Sequence, residues 1–290
     1  MKEEGALVIS YHSQGQLIEE YFSREGSFPS LVSHEAFGKT TLGKEMYVFK
    51  IGNPSGGRIL IDACIHGDER VAAEILLLYV DWLLNQREPA ATRILEGCQT
   101  LVIPIINMDG FTESGMTQGR RKNANNVDLY RNFPYGWVLR PGNPARYDYP
   151  GPCAESEIET RNIMALYAKI VPKLSISMHT GKSPIFVKQI FRCAGATRED
   201  DAYMQEAYAR YAQLARKRSQ SVHPFTGSGR RGRPGTTFYK YFHTMTFGIE
   251  TIDTYPNPPP YAEEFPNILN EWLPLFITLS LEAESNTSVR

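Results

Sequence analysis

His66 and Glu69 stand three residues apart in the run Ile65-His66-Gly67-Asp68-Glu69, and His179 lies in the second half of the chain. Two imidazoles and one carboxylate can hold a catalytic zinc ion while leaving a fourth coordination position for water. The pair alone is a weak signal. With 6 His and 32 acidic residues among 290, roughly 0.7 such His-x-x-acid pairs are expected by chance, so its meaning depends on context. Arg58 to Ile65 is a short, β-branched, apolar run that suits a buried strand, with Cys64 inside it as a small buried hydrophobe. Val71 to Leu84 is apolar nearly all round, which suits a buried helix. The pair therefore belongs on a strand-to-helix turn, where open α/β sheets place their ligands. At the start of a helix, positions i and i+3 can face one point.

The second imidazole comes from a similar setting. Leu174 to Met178 reads as a strand, with His179 at its carboxyl end. Ahead of it, Ser156 and Glu159 have the spacing of a capping box, opening a helix that runs to about Ile170 and is stopped by Pro172. His243 to Ile249 is a further strand candidate, and Glu250 stands at its end. Three titratable side chains at three strand ends point to a shared site on one edge of a sheet.

Length, 42% hydrophobic residues and a net charge of −1 suit one large α/β domain with a substantial core, 1–290. No linker composition or internal repeat divides it. An N-terminal helical extension (residues 1–35, helix Gln14 to Phe22) is expected, with a stiff loop from Asn257 to Tyr261. A C-terminal helix near Pro266 to Leu281 and a frayed tail from 284 to 290 complete the reading. The four cysteines show neither metal nor redox spacing, and no run is long enough to span a membrane. With no signal-peptide pattern at the N-terminus, a cytoplasmic, reducing location is the expectation, without a zymogen segment. The charge balance and the lack of aromatic residues among the basic ones argue against nucleic-acid binding. Oligomeric state is not legible.

Beyond the three ligands, the chain carries Pro104-Ile-Ile-Asn-Met-Asp-Gly110, Arg121-Lys-Asn-Ala-Asn-Asn-Val-Asp-Leu-Tyr-Arg-Asn-Phe133, Gly151-Pro-Cys-Ala-Glu-Ser-Glu-Ile-Glu-Thr160, Ser175-Ile-Ser-Met-His179 and Phe247-Gly-Ile-Glu-Thr251. In order and spacing these stretches resemble the zinc carboxypeptidases (funnelin metallopeptidases), and their bacterial branch in particular. The resemblance extends from about Gly38 to Tyr255. It implies a mixed, mostly parallel sheet with helices on both faces. It also implies one zinc ion held by His66, Glu69 and His179, with Glu250 as general base, Arg121 at the oxyanion and Arg131 gripping the substrate's terminal carboxylate. Each role has a physical basis. Zinc lowers the pKa of its water to about 7, within reach of a carboxylate base. A guanidinium supplies permanent positive charge for an oxyanion and a planar fork for a carboxylate. Without the resemblance, Arg131 could equally pair with Asp128 as a structural arginine.

Two features depart from the family pattern. Tyr130 precedes Arg131 where Asn is typical, and a phenol donates one hydrogen bond where an amide donates two. The loop Thr226 to Gly235 carries Arg230, Arg231 and Arg233 in place of a tyrosine. In the family that region borders the pocket for the side chain beyond the scissile bond, so these arginines suit a substrate with an extra carboxylate. The resemblance thus implies a metallocarboxypeptidase acting on a short peptide, with an acidic or peptidoglycan-derived one as the expectation. The alternatives are an N-acyl amino acid deacylase or peptidoglycan-peptide amidase on the same fold, or a non-catalytic peptide-binding module.

Overall fold

The computed structural model describes residues 11–111, 120–138, 143–180, 189–192, 223–225, 233–252 and 262–285. Among these, eight strands form one sheet: β1 (Val32–Lys39), β2 (Glu45–Gly52), β3 (Gly57–Ala63), β4 (Cys98–Ile103), β5 (Leu174–His179), β6 (Gln189–Arg192), β7 (His223–Phe225) and β8 (Met245–Glu250). Their order is β1-β2-β4-β3-β5-β8-β6-β7. The pairs β4–β3, β3–β5, β5–β8 and β6–β7 are parallel, while β1–β2, β2–β4 and β8–β6 are antiparallel. This is the expected mixed, mostly parallel sheet.

Six α-helices are described: α1 (Gln14–Ser27), α2 (Arg70–Asn85), α3 (Pro89–Gly97), α4 (Ile158–Ile170), α5 (Pro234–Phe242) and α6 (Phe265–Ser285). Ile59 and Ile61 of β3 pack into a core with Ile75 and Leu76 of α2 and Trp272 and Leu279 of α6. Leu60 points the other way, into a second core with Ile163 and Tyr167 of α4 and Phe238 of α5. Side chains alternate across a strand, so β3 is apolar on both faces because helices cover both. The long apolar run of α2 has the same origin, with nearly every residue from Val71 to Val80 buried.

Several boundaries differ from the sequence reading, each for a local reason. Helix α1 continues to Ser27, and β1 begins at Val32, inside the span assigned to the helical extension. Cys64 lies just beyond β3, with φ 52°, where it starts the turn that carries His66. Ser156 forms no capping box: α4 starts one residue later, after Glu157, while the Ser156 hydroxyl donates to Glu157 Oε1 at 2.6 Å. Glu159 instead accepts from the Thr41 backbone N–H at 3.0 Å and from Asn123 Nδ2 at 3.2 Å, ties to distant segments that outcompete a local cap. His243 caps the C-terminus of α5 with φ 55°, and β8 begins only at Met245. Helix α6 runs to Ser285, so residues 284 and 285 are helical, contrary to the expected fraying. The loop from Asn257 to Tyr261 and residues 286–290 lie outside the described residues.

Asp62 is a buried carboxyl on β3 that accepts the Ser177 hydroxyl at 2.8 Å, beside Phe133, Tyr167 and Phe238. Burial pushes it up from 3.8 to about 7, against the opposing pull of the Ser177 hydrogen bond. An acid raised in the folded state binds its proton more tightly there than in the unfolded chain. The resulting stability is full below pH 3.8 and is lost as pH rises through about 7. The loss amounts to about 4 kcal/mol. Asp62→Asn is expected to flatten this fall, giving urea midpoints that differ less between pH 5 and pH 8 than those of the wild type.

Candidate metal centre

The site is built where β3, β5 and β8 end. Beyond β3 the chain turns through Cys64, and the N–H groups of Ile106 and Asn107 close on the carbonyls of Ala63 and Cys64 at 3.1 and 2.9 Å. A Cβ at Gly67 would collide with the backbone of Gly110 and Arg120, so only glycine lets the ligand turn pass between these segments. Helix α2 then begins at Arg70, whose guanidinium lies over the rings of Phe111 and Tyr11, 4.9 and 5.5 Å from their centroids. These contacts hold the helix start, and with it Glu69. On the neighbouring strands, His179 and Glu250 are register partners. Thr251 donates its N–H and its hydroxyl to the His179 carbonyl at 2.8 and 3.0 Å, locking the two strand ends together.

His66, Glu69 and His179 meet as the sequence led us to expect. One ligand atom from each lies within 4.8 Å of the others, and all three residues are buried. The Nδ1 atoms of His66 and His179 each lie 2.8 Å from a different oxygen of the Glu69 carboxylate. Burial raises the Glu69 carboxyl, but the two imidazoles outweigh it and hold the group far below the usual carboxylate range. His179 is shifted down, chiefly by burial, which favours the neutral imidazole that a metal requires. Both imidazoles turn Nδ1 toward the carboxylate, and two imidazole nitrogens with one carboxylate are a donor set that suits zinc.

Asp128 is the functional residue that sequence reasoning undervalued. It is fully buried, and Oδ1 lies 3.2 Å from His66 Nε2, on the side of the ring away from Glu69. Its Oδ2 accepts from Arg121 Nη2 at 3.1 Å and Nε at 3.3 Å. Burial raises the Asp128 carboxyl, yet Arg121 and then His66 hold it well below its ordinary range. A carboxylate behind a metal-binding imidazole fixes its tautomer and raises its basicity. Asp128→Asn is expected to weaken zinc binding about 10- to 100-fold, read by competition with a chromophoric chelator. The clue lay in the same stretch as Arg121 and Arg131, but only as a possible partner of Arg131. The structure gives the close ion pair to Arg121, with Arg131 adding a weaker attraction.

Arg121 also reaches the cluster, with Nη1 3.7 Å from Glu69 Oε1. Asp128 and Glu69 raise its pKa against the effect of burial, so its charge is permanent. The buried Tyr130 ring meets His179 edge-on, with centroids 4.8 Å apart, and His66 at 5.6 Å. Arg131 and Arg233 both approach that ring, their guanidinium carbons 5.2 and 5.5 Å from its centroid. Gly235 and Thr236 fall in the first turn of α5, just behind Arg233. Arg230 and Arg231 lie outside the described residues.

The zinc carboxypeptidase family model matches residues 18–255, most of the chain. Mast cell carboxypeptidase A of Rattus norvegicus is 32% identical over 154 residues, covering 47% of this chain and 36% of that protein. The chain thus spans about a third of the length of this curated relative. The fold is like that of carboxypeptidase A from Helicoverpa armigera, with TM-score 0.80, 17% identity, and coverage of 96% of this chain and 75% of that one. It is also like murein-tripeptide amidase MpaA from Escherichia coli O157, with TM-score 0.53, 22% identity, and coverage of 88% and 94%. With its metal-ligand cluster at the strand ends and its family model matched across most of its length, the chain belongs to the zinc carboxypeptidase family.

Proposed function

We propose that the chain is a zinc-dependent metallocarboxypeptidase that removes the C-terminal residue of a short peptide. The observation that carries this reading is the buried His66–Glu69–His179 cluster, with Glu250 in register beside His179 and Arg121 against Glu69. Those three residues would hold zinc, which would supply Lewis acidity and lower the pKa of a water molecule to about 7. Glu250 takes the proton of the attacking water and returns it to the leaving amine. Arg121, oriented by Asp128, polarises the scissile carbonyl and holds the negative charge that develops on its oxygen. Arg131 receives the terminal carboxylate of the substrate, and Tyr130 contributes its single phenolic donor. Arg233, on the same ring as Arg131, supplies a second positive charge for an acidic leaving residue.

A second reading, hydrolysis of an amide in a peptidoglycan-type peptide or an N-acyl amino acid, draws support from Tyr130. Its ring occupies the place beside Arg131 where an asparagine would add a second donor for an ordinary terminal carboxylate. The test is mass spectrometry of a mixed library after incubation with zinc-loaded protein, with Glu250→Gln as control. The library holds peptides with varied C-termini, γ-glutamyl-diaminopimelate peptides and N-acyl amino acids. We expect single C-terminal residues to be lost with the wild type alone. Release of acyl groups only would replace the peptidase reading with the deacylase. No turnover by zinc-replete protein would favour a binding module.

A further inference from the structure

A cavity of about 440 Å3 opens beside the metal cluster, lined in part by Arg120, Arg121, Lys122, Asn126 and Tyr147. Among the described residues that line it, three are cationic and none is acidic. Arg121 lines the cavity and also reaches the centre, its Nη1 3.7 Å from Glu69 Oε1. Arg121 is the lining residue that meets Glu69 and Asp128, whereas Arg131 and Arg233 approach the Tyr130 ring, which stands against the imidazoles.

The walls are fixed. Lys122 Nζ donates to the carbonyls of Pro144 and Arg146 at 2.7 and 2.8 Å, and Asn126 Nδ2 donates to the Pro144 carbonyl at 2.7 Å. These bonds hold the segment that places the Tyr147 ring 4.6 Å from the Arg121 guanidinium carbon. Tyr147 is 63% exposed, an apolar wall at the mouth of a positive cavity. Arg120 is exposed on a pinned backbone, its N–H donating to the Gly110 carbonyl at 3.0 Å. Lys122 is committed to carbonyls and Arg121 to Asp128, so Arg120 is the lining cation best placed to meet an incoming anion.

A substrate stretched over the metal has two halves. On the proposed peptidase reading, on which this inference rests, the leaving residue turns toward Arg131, and the scissile carbonyl of the acyl half meets Arg121, which also lines the cavity. We propose that this cavity is a subsite for an anionic side chain on the residue preceding the scissile bond. The preferred substrates are then peptides whose penultimate residue carries a carboxylate, with Arg120 meeting the carboxylate and Tyr147 covering the side-chain stem.

The test uses paired peptides that share a leaving residue and differ only in a penultimate Glu or Gln. Wild-type protein is expected to favour Glu by about two- to fivefold in kcat/KM, the effect of one exposed charge pair. The preference should shrink as salt is raised. It should collapse toward unity in Arg120→Gln and survive in Arg120→Lys. The same pairs are titrated by calorimetry against zinc-loaded Glu250→Gln protein, with and without Arg120→Gln, so that binding is read apart from turnover. Equal use and equal binding of the two peptides, or a Glu preference indifferent to Arg120, would overturn the subsite. If no peptide is hydrolysed but the Glu peptide binds more tightly in an Arg120-dependent way, the subsite stands and the peptidase reading falls.

Discussion

Replacing Glu250 with Gln is expected to lower kcat about 100- to 10,000-fold, the range over which a positioned general base acts. The argument is positional. Glu250 ends β8 as the register partner of His179, and Thr251 ties the two strand ends together through the His179 carbonyl. Glutamine keeps the shape and loses only the ability to take a proton, so zinc content by atomic absorption and the KM for a peptide should change little. Near-normal turnover by the variant would remove Glu250 from the chemistry. Loss of zinc instead of turnover would recast it as a ligand.

Removing the charge of Glu69 should have the largest effect on metal binding. Its carboxylate bridges the two Nδ1 atoms at 2.8 Å each, buried and held ionised by the imidazoles themselves. Glu69→Gln removes the anion that offsets the charge of a divalent cation, in a site where uncompensated charge is costly. We expect zinc affinity to fall by more than about 100-fold, beyond the loss typical of residues outside the ligand set. Because a metal bound only by the folded state stabilises it by mass action, added zinc should raise the melting temperature of the wild type and leave that of the variant nearly unchanged. An equal zinc-dependent rise in both proteins would mean that the cation binds elsewhere.

Local patterns made much of this molecule legible. The apolar run before His66, the all-round apolar helix after Glu69 and the short strands ending at His179 and Glu250 are signals confined to a few residues each. Their elements lie within a few residues of the expected bounds. Boundaries failed where distant partners intervened. Ser156 and Glu159 have the spacing of a cap, but Glu159 is claimed by Thr41 and Asn123, far away in sequence. His243 has strand neighbours and yet closes a helix in a left-handed conformation.

The sequence by itself determined the ligand types, the strand ends that carry them and the family pattern around them, because periodicity, turn residues and motif spacing are short-range properties. Only the tertiary structure decided which charges meet. Asp128 could have served Arg131, but the fold turns it to His66 and Arg121. Arg233 is brought to the ring of Tyr130 across a long stretch of chain, and Arg121 is shared between the metal cluster and a positive cavity. Electrostatic partnership depends on distances of a few ångströms between segments remote in sequence, and packing alone sets those distances.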